Sequence, residues 1–525
     1  MTQISATSAP NPAWQAASAS AAAPVPVSNS VQPAAVQTDY AVSGAAVSLG
    51  LGATASGVYQ SPSALPSLSS ANWEHDANDA ISTQMAGNYV STTLAGRFEA
   101  LGAAVLERFR DDGANYSQSI LQARPGSVSG AALHQRQHTQ ADNQITLAIT
   151  TAGGARVEVS LGSDANGLAV SLNVTEGEVS DEERAAIANL AGAFQDAVDG
   201  LASEPPRLAL GKLGSFDTTL LSAVDLKATV SLGNQHSQTV SFHADAKSRS
   251  VSSTGPAGTV SVDLDLSKPT TLGSATQRAA AVDSYLRQFD AARTRGEGDA
   301  FTMSLFKDAF SSLHADYGDV AVQRPGQAGA SALNRADRSM LSGLADFNAS
   351  VRQNSVSLNP RKPEELDTFT YTVSQRTNLY GSDALNRGIT QQIDSRLSAS
   401  YHRSLSPEIS LMLTSDRESQ NYYYYQVDDT SSSRTDIAYE NGALKQAQLT
   451  QSSNQSTHMQ KFVMGAMVQE YTLPTSTSRT HDLTALVREA TREEDGAGMN
   501  PRDQVEAIRT RRYEQLAASV ARLRG

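Results

Sequence analysis

Asn143-Gln-Ile-Thr-Leu-Ala-Ile-Thr-Thr151, Arg156-Val-Glu-Val-Ser-Leu161 and Gly167-Leu-Ala-Val-Ser-Leu-Asn-Val174 decide the fold. In the first run Ile145, Leu147 and Ile149 alternate with polar or small residues. Val157, Val159 and Leu161 do so in the second, and Leu168, Val170, Leu172 and Val174 in the third. A period of two puts every apolar side chain on one face of a strand and leaves the other face wet. Gly153-Gly154 and Asn166-Gly167 fall between the runs, where tight turns need residues that tolerate positive φ. Three strands in an antiparallel meander follow. Ser180-Asp-Glu-Glu183 then forms a capping box, in which serine and glutamate satisfy each other's early helix amides. It opens a helix with Ile187, Leu190, Ala191, Phe194, Val198 and Leu201 on one side, and Pro205-Pro206 stops it.

The plan recurs downstream. Val224, Leu226, Val230 and Leu232, then Val240 and Phe242, then Val260, Val262, Leu264 and Leu266 alternate in the same way. Ser274-Ala-Thr-Gln277 repeats the capping pattern ahead of Val282, Tyr285, Leu286 and Phe289. The fold class expected is α+β: two antiparallel strand-meander plus helix modules, each helix over its own sheet, at 140–206 and 220–295. Working outward, residues 1–72 read as a disordered Ala/Ser/Pro-rich tail. Residues 73–124 read as an amphipathic helical segment carrying Leu94, Phe98, Leu101, Val105 and Phe109. Residues 296–358 read as a helical connector, with Phe301, Leu305, Phe306, Phe310 and Leu313 followed by Met340, Leu341, Leu344 and Phe347. From 366 to 474 a larger C-terminal antiparallel sheet is expected, with Asn441-Gly442 as its best hairpin turn and Pro474 as its end. A helical tail at 479–525 closes the chain.

Composition narrows the function. The net charge is −13, which disfavours a general binder of nucleic acid or of anionic membranes. The absence of cysteine excludes disulfides, a thiol nucleophile, zinc thiolates and iron–sulfur clusters. No Lys or Arg precedes Arg97, so a conventional signal peptide is not expected. No segment is apolar enough for membrane insertion by a helix. The expected location is cytoplasmic, or exported by a non-classical route.

Few motifs carry chemistry. Gly50-Leu-Gly52-Ala-Thr-Ala55 has the spacing of a dinucleotide fingerprint, but Pro62 and Pro66 follow where the pyrophosphate-binding helix should run. His134, His138 and Asp142 are spaced i, i+4, i+8 and would share one face of a helix, which makes them the candidate metal ligands; the alternative is a solvated connector. His243, His236 and His402 read as surface histidines. No G-x-S-x-G elbow or P-loop occurs. Tyr422 to Tyr425 is the one aromatic run. Its bland reading is a strand with tyrosines on both faces, rings half-buried and hydroxyls wet. The rival reading is a stacking platform for sugars or bases, against which Asp428 and Asp429 weigh. Arg509, Arg511, Arg512, Arg522 and Arg524 share their helix with Asp503, Glu506 and Glu514 as a salt-bridged face.

Several stretches resemble an uncharacterised bacterial family. They are Tyr116-Ser-Gln-Ser-Ile-Leu121, the meander and helix from Asn143 to Leu201, Gly343-Leu-Ala-Asp-Phe347, Ser419-Gln-Asn-Tyr422 and Gln455-Ser-Thr-His-Met-Gln-Lys-Phe-Val-Met464. The resemblance covers most of the chain after about residue 85. Some members carry a lactate dehydrogenase label, which implies an NADH-dependent enzyme; antiparallel meanders oppose it, since a Rossmann domain needs parallel strands joined by crossover helices. Val157 to Leu161, Leu168 to Leu172 and the acidic-start helix are also similar to the C-terminal region of flagellar hook-length control proteins. These observations favour a non-enzymatic interaction or structural protein, exported or envelope-associated, with a protein partner and no cofactor. The alternatives are a cytosolic scaffold or regulator, and an enzyme whose site is assembled from distant residues.

Overall fold

The computed structural model describes residues 71–122, 130–317 and 333–494. The expected tail, the Gly50 motif and the C-terminal arginines lie outside the described residues. The chain is α+β. Its strands join in one antiparallel sheet instead of separate module sheets.

The first strands are β1 (Ala71–Trp73) and β2 (Tyr116–Gln122), with helices α1 (Ala80–Tyr89), α2 (Leu94–Phe98) and α3 (Leu101–Asp112) between them. The expected single helical stripe is thus three helices, broken where Ala100 takes positive φ, and it contains two strands that alternation does not reveal. Helix α4 (Ala131–Thr139) leads to the first meander: β3 (Asn143–Thr151), β4 (Arg156–Ser163) and β5 (Gly167–Glu176). Helices α5 (Asp181–Ala188) and α6 (Ala191–Ala202) follow, and the Ser180/Glu183 capping box is complete. The second meander has four strands: β6 (Leu221–Gly233), β7 (His236–Asp245), β8 (Ser248–Gly255) and β9 (Gly258–Asp265). Helices α7 (Ala275–Gly296) and α8 (Ala300–Ala315) come next. Ser274 caps α7, but Gln277 does not complete a box; its amide donates to the carbonyls of Arg338 and Leu341.

The expected helical connector also contains strands. After α9 (Arg335–Met340) come β10 (Asp346–Gln353) and β11 (Val356–Ser357). Phe347, Ala349 and Val351 alternate inward, and β10 pairs with β9 on one side, so it joins the second meander to the C-terminal strands. Those are β12 (Leu366–Gly381), β13 (Arg387–Ser404), β14 (Tyr422–Glu440), β15 (Ala443–Val463) and β16 (Ala466–Asp482), closed by α10 (Thr484–Glu494). Asn441 and Gly442 both take positive φ between β14 and β15, as a two-residue hairpin requires. Pro474 does not end the sheet: β16 runs through it to Asp482, so residues expected in a helical tail are strand. Proline is tolerated because β16 is an edge strand and the missing N–H falls on its free side.

The strand order is β1-β2-β5-β4-β3-β6-β7-β8-β9-β10-β12-β13-β14-β15-β16, with β11 beside β12. One cluster of buried apolar side chains runs from Ile81 to Val427 beneath the covering helices, so the two modules share a core. The opposite face is polar. Ser171, Ser160, Thr146, Lys227, Ser241, Ser252, Ser261, Ser350 and Thr372 face one another across nine consecutive strands. Helix α4 lies on this face over Gly162, where an added Cβ would come within 2.7 Å of the Gln137 carbonyl oxygen.

A smaller cluster holds the far end of β13–β15 against α9 and α10, with Met340, Ile389, Ile437, Leu449 and Val487. Asp337, fully buried, accepts from Arg387 at 2.6 Å and from the Tyr439 hydroxyl at 2.8 Å. Replacing Asp337 by Ala strands the Arg387 charge in that cluster. Urea unfolding should show a loss of about 3–5 kcal/mol, whereas the apolar pair Asp337→Leu with Arg387→Met should recover most of it.

Candidate functional site

Glu74, Ser117, Ser119, His134 and His138 gather at the β1–β2 edge under α4. Ser119 Oγ donates to Glu74 Oε2 at 2.9 Å and lies 2.6 Å from His134 Nδ1. His138 Nε2 lies 2.8 Å from the same carboxylate oxygen. Burial pushes the Glu74 carboxyl up, but the bonds from His138 and Ser119 outweigh it and hold it below its ordinary value. Burial holds His134 below its ordinary value. Two of the expected metal ligands thus join one cluster, in which His138 binds Glu74 and His134 binds Ser119. Asp142 is exposed in the turn after α4, because the helix stops at Thr139 before the third position of the pattern. Among the described residues no three His, Asp or Glu side chains are arranged to hold a metal ion. Ser119 is fully buried, so no substrate carbonyl reaches its Oγ. The arrangement pins α4 and β1 to β2.

Two concavities open on the polar face. One of about 600 Å³ is lined by Asp263, Asn348, Ser374, Asp394, Arg396 and Asn454. Another of about 460 Å³ is lined by Thr146, Arg156, Glu158, Asp225 and Lys227. Some of their charged groups engage neighbours: Arg396 binds Asp428 at 2.6 Å, and Asp225 binds His243 at 2.8 Å. His243 is half-buried on the polar face, as alternation implies, with Asp245 as a second partner.

His402 departs from expectation. Its position on β13 is outward, yet its side chain is wholly buried. Glu365 and Asp367 hold its two ring nitrogens at 3.2 and 2.6 Å. Glu365 also accepts from Lys362 and from the Tyr422 hydroxyl, each at 2.7 Å. Tyr422 and Tyr424 are therefore buried with bonded hydroxyls, packed with Phe462 beside Leu411 and Leu413. Alternation does place two tyrosines on each face, but the segments before β12 and before β14 fold over one pair.

The other pair, Tyr423 and Tyr425, is half-buried on the helix side, in rows that become exposed only at β16. Tyr401, Tyr425, Met459 and Tyr471 form one transverse row on the helix side, and Ala399, Val427, Thr457 and Leu473 form the next. The rings of Tyr401 and Tyr425 stack 5.1 Å apart. Asp429 on this face is neutralised by Arg295 of α7, which bonds it at 3.0 Å and reaches Thr457 at 2.7 Å; Asp428 points to the opposite face. Both rows end at β16, whose 17 residues are exposed along nearly their whole length. Val468 is 57% exposed and Leu473 59%. Among the described residues no strand pairs with the outer side of β16. Sequence reading missed this edge because Pro474 reads as a strand terminator. Comparison with protein-family models, curated proteins and solved structures returns no match.

The His402 cluster titrates in a defined direction. Burial opposes its charge, but the two carboxylates prevail and raise it above the ordinary 6.5. A raised folded value stabilises the fold fully below about pH 6.5 and loses that contribution as pH rises through the folded value. The stability difference between wild type and His402→Asn, from urea unfolding at a series of pH values, should therefore be largest in mild acid and shrink on the alkaline side. A difference independent of pH from 6 to 9 would mean that the buried imidazole is neutral.

Proposed function

We propose that this is a non-enzymatic docking protein that takes up an extended segment of a protein partner as one more strand beside β16. The free edge of β16, flanked by exposed Met467, Val468, Tyr471 and Leu473, carries this reading. A long uncovered edge with apolar side chains is a template for strand pairing, and soluble proteins ordinarily shorten, charge or cover such edges. An added strand gains main-chain hydrogen bonds for affinity and side-chain rows for selectivity. The role suits an envelope-associated protein and a cytosolic scaffold alike. Thr472 Oγ1 lies 2.9 Å from His458 Nδ1, and Glu470 lies 3.2 Å from His458 Nε2, but these residues line neither of the two concavities described above, which weighs against the enzyme alternative, lactate dehydrogenase included.

Selection of a displayed peptide library on the full chain tests the proposal. Enriched peptides should alternate apolar and polar residues and lose binding to Thr472→Pro, which removes an outward amide while leaving the thermal unfolding of the fold near wild type. Equal enrichment on both proteins sinks the reading.

A further inference from the structure

The chemistry of β16 specifies its partner further, and this step rests on the docking reading above. We infer that the incoming strand belongs to a different chain and carries the pattern apolar–any–apolar–basic, read antiparallel to β16. Pro474 has no N–H for the free edge, so the ladder available to a partner is the stretch Ala466–Leu473. Within it Tyr471 and Leu473 end the two apolar rows on the helix side. An added strand that continues those rows places apolar residues opposite both, two positions apart. The residue between them faces Thr472. The residue after the second apolar one faces Glu470, on the polar side.

Glu470 supplies the charge criterion. Gln460 donates to its Oε1 at 2.8 Å, and His458 Nε2 lies 3.2 Å from the same atom; no bond is made by the second carboxylate oxygen. Along β16 the polar side carries Glu470 and Asp482 and no cation, because Arg479 lies on the helix side with Tyr471. A Lys or Arg opposite Glu470 gains a cross-strand ion pair, while an acidic residue there is repelled.

The same residues argue against a second copy as occupant. Two copies confined to Ala466–Leu473 pair antiparallel about Glu470 and set their carboxylates directly opposite. A register displaced toward Leu473 relieves that contact but draws Pro474 of each copy into the ladder, where two hydrogen bonds are then missing; one displaced toward Ala466 sets Leu473 of each copy against the Met464-Gly465 turn of the other and shortens the ladder. A different chain meets neither obstacle.

Fluorescence anisotropy with two labelled eight-residue peptides tests this. Both have a Val-Thr-Val core flanked by Ser and Thr, with Lys after the core in one and Glu in the other. The Lys peptide should bind the full chain about tenfold more tightly than the Glu peptide. Glu470→Lys should reverse that order, and Leu473→Ser should weaken both. Equal binding of the two peptides, lost in both for Thr472→Pro, overturns the inference while the docking edge stands. Binding of neither overturns the edge as well. A reversible dimer in sedimentation equilibrium that Glu470→Gln tightens and Thr472→Pro abolishes would assign the edge to a second copy instead.

Discussion

A strand can extend an antiparallel ladder only if the side chains of both parities find suitable surroundings, and this constraint organises the molecule. From β5 across to β12 one parity is apolar and covered by helices, while the other is Ser and Thr with charged residues such as Glu158, Asp225, Lys227 and Asp263. A slip of one residue anywhere would exchange the two sets, so each register supports its neighbours. The continuous core from Ile81 to Val427 follows from this rule. Each meander's apolar parity faces the same way, so the sheets of the two modules fuse through β3 and β6 and share one layer of helices.

The rule changes beyond β13. In β14, β15 and β16 both parities are polar over the middle of each strand, with Ser431, Ser432 and Ser433 beside Ser452 and Ser453 and then Ser478 and Thr477. Strands polar on two sides specify register weakly. Here the register is fixed at the ends. The Tyr422–Tyr424–Phe462 cluster with His402 holds one end, and the cluster around Ile437, Leu449 and Val487 with the Asp337–Arg387 pair holds the other. Arg295 ties the middle to α7 through Asp429. Small apolar and charged anchors thus replace a core where no helix layer exists.

This division explains what was legible in the sequence. The meanders with strict alternation, β3–β5 and β6–β9, and the capping box at Ser180 follow from local pattern alone. β2 does not, because Gln118 and Ser119 are buried against Ser82, His75, Glu74 and His134, so its polar residues lie inside. β10 was obscured because Met340, Leu341, Leu344 and Phe347 have helix-like spacing, while only Phe347 onward is strand. The histidines at 134 and 138 were recognisable as a pair, but Glu74 lies 64 residues from His138 and no local pattern joins them. His402 is outward by alternation and buried by segments that fold over it. Local periodicity cannot register such long-range cover.

The two edges of the sheet are unequal. Among the described residues, one edge shows three residues of β1, and the other presents the whole of β16. A sheet with equal edges can be joined from both sides and propagate into a fibre. On the docking reading proposed above, this one accepts a single strand, after which the ladder's next edge belongs to the guest. Stoichiometry on that reading is written into the backbone: each molecule would terminate, and not extend, whatever assembly its guest strand brings.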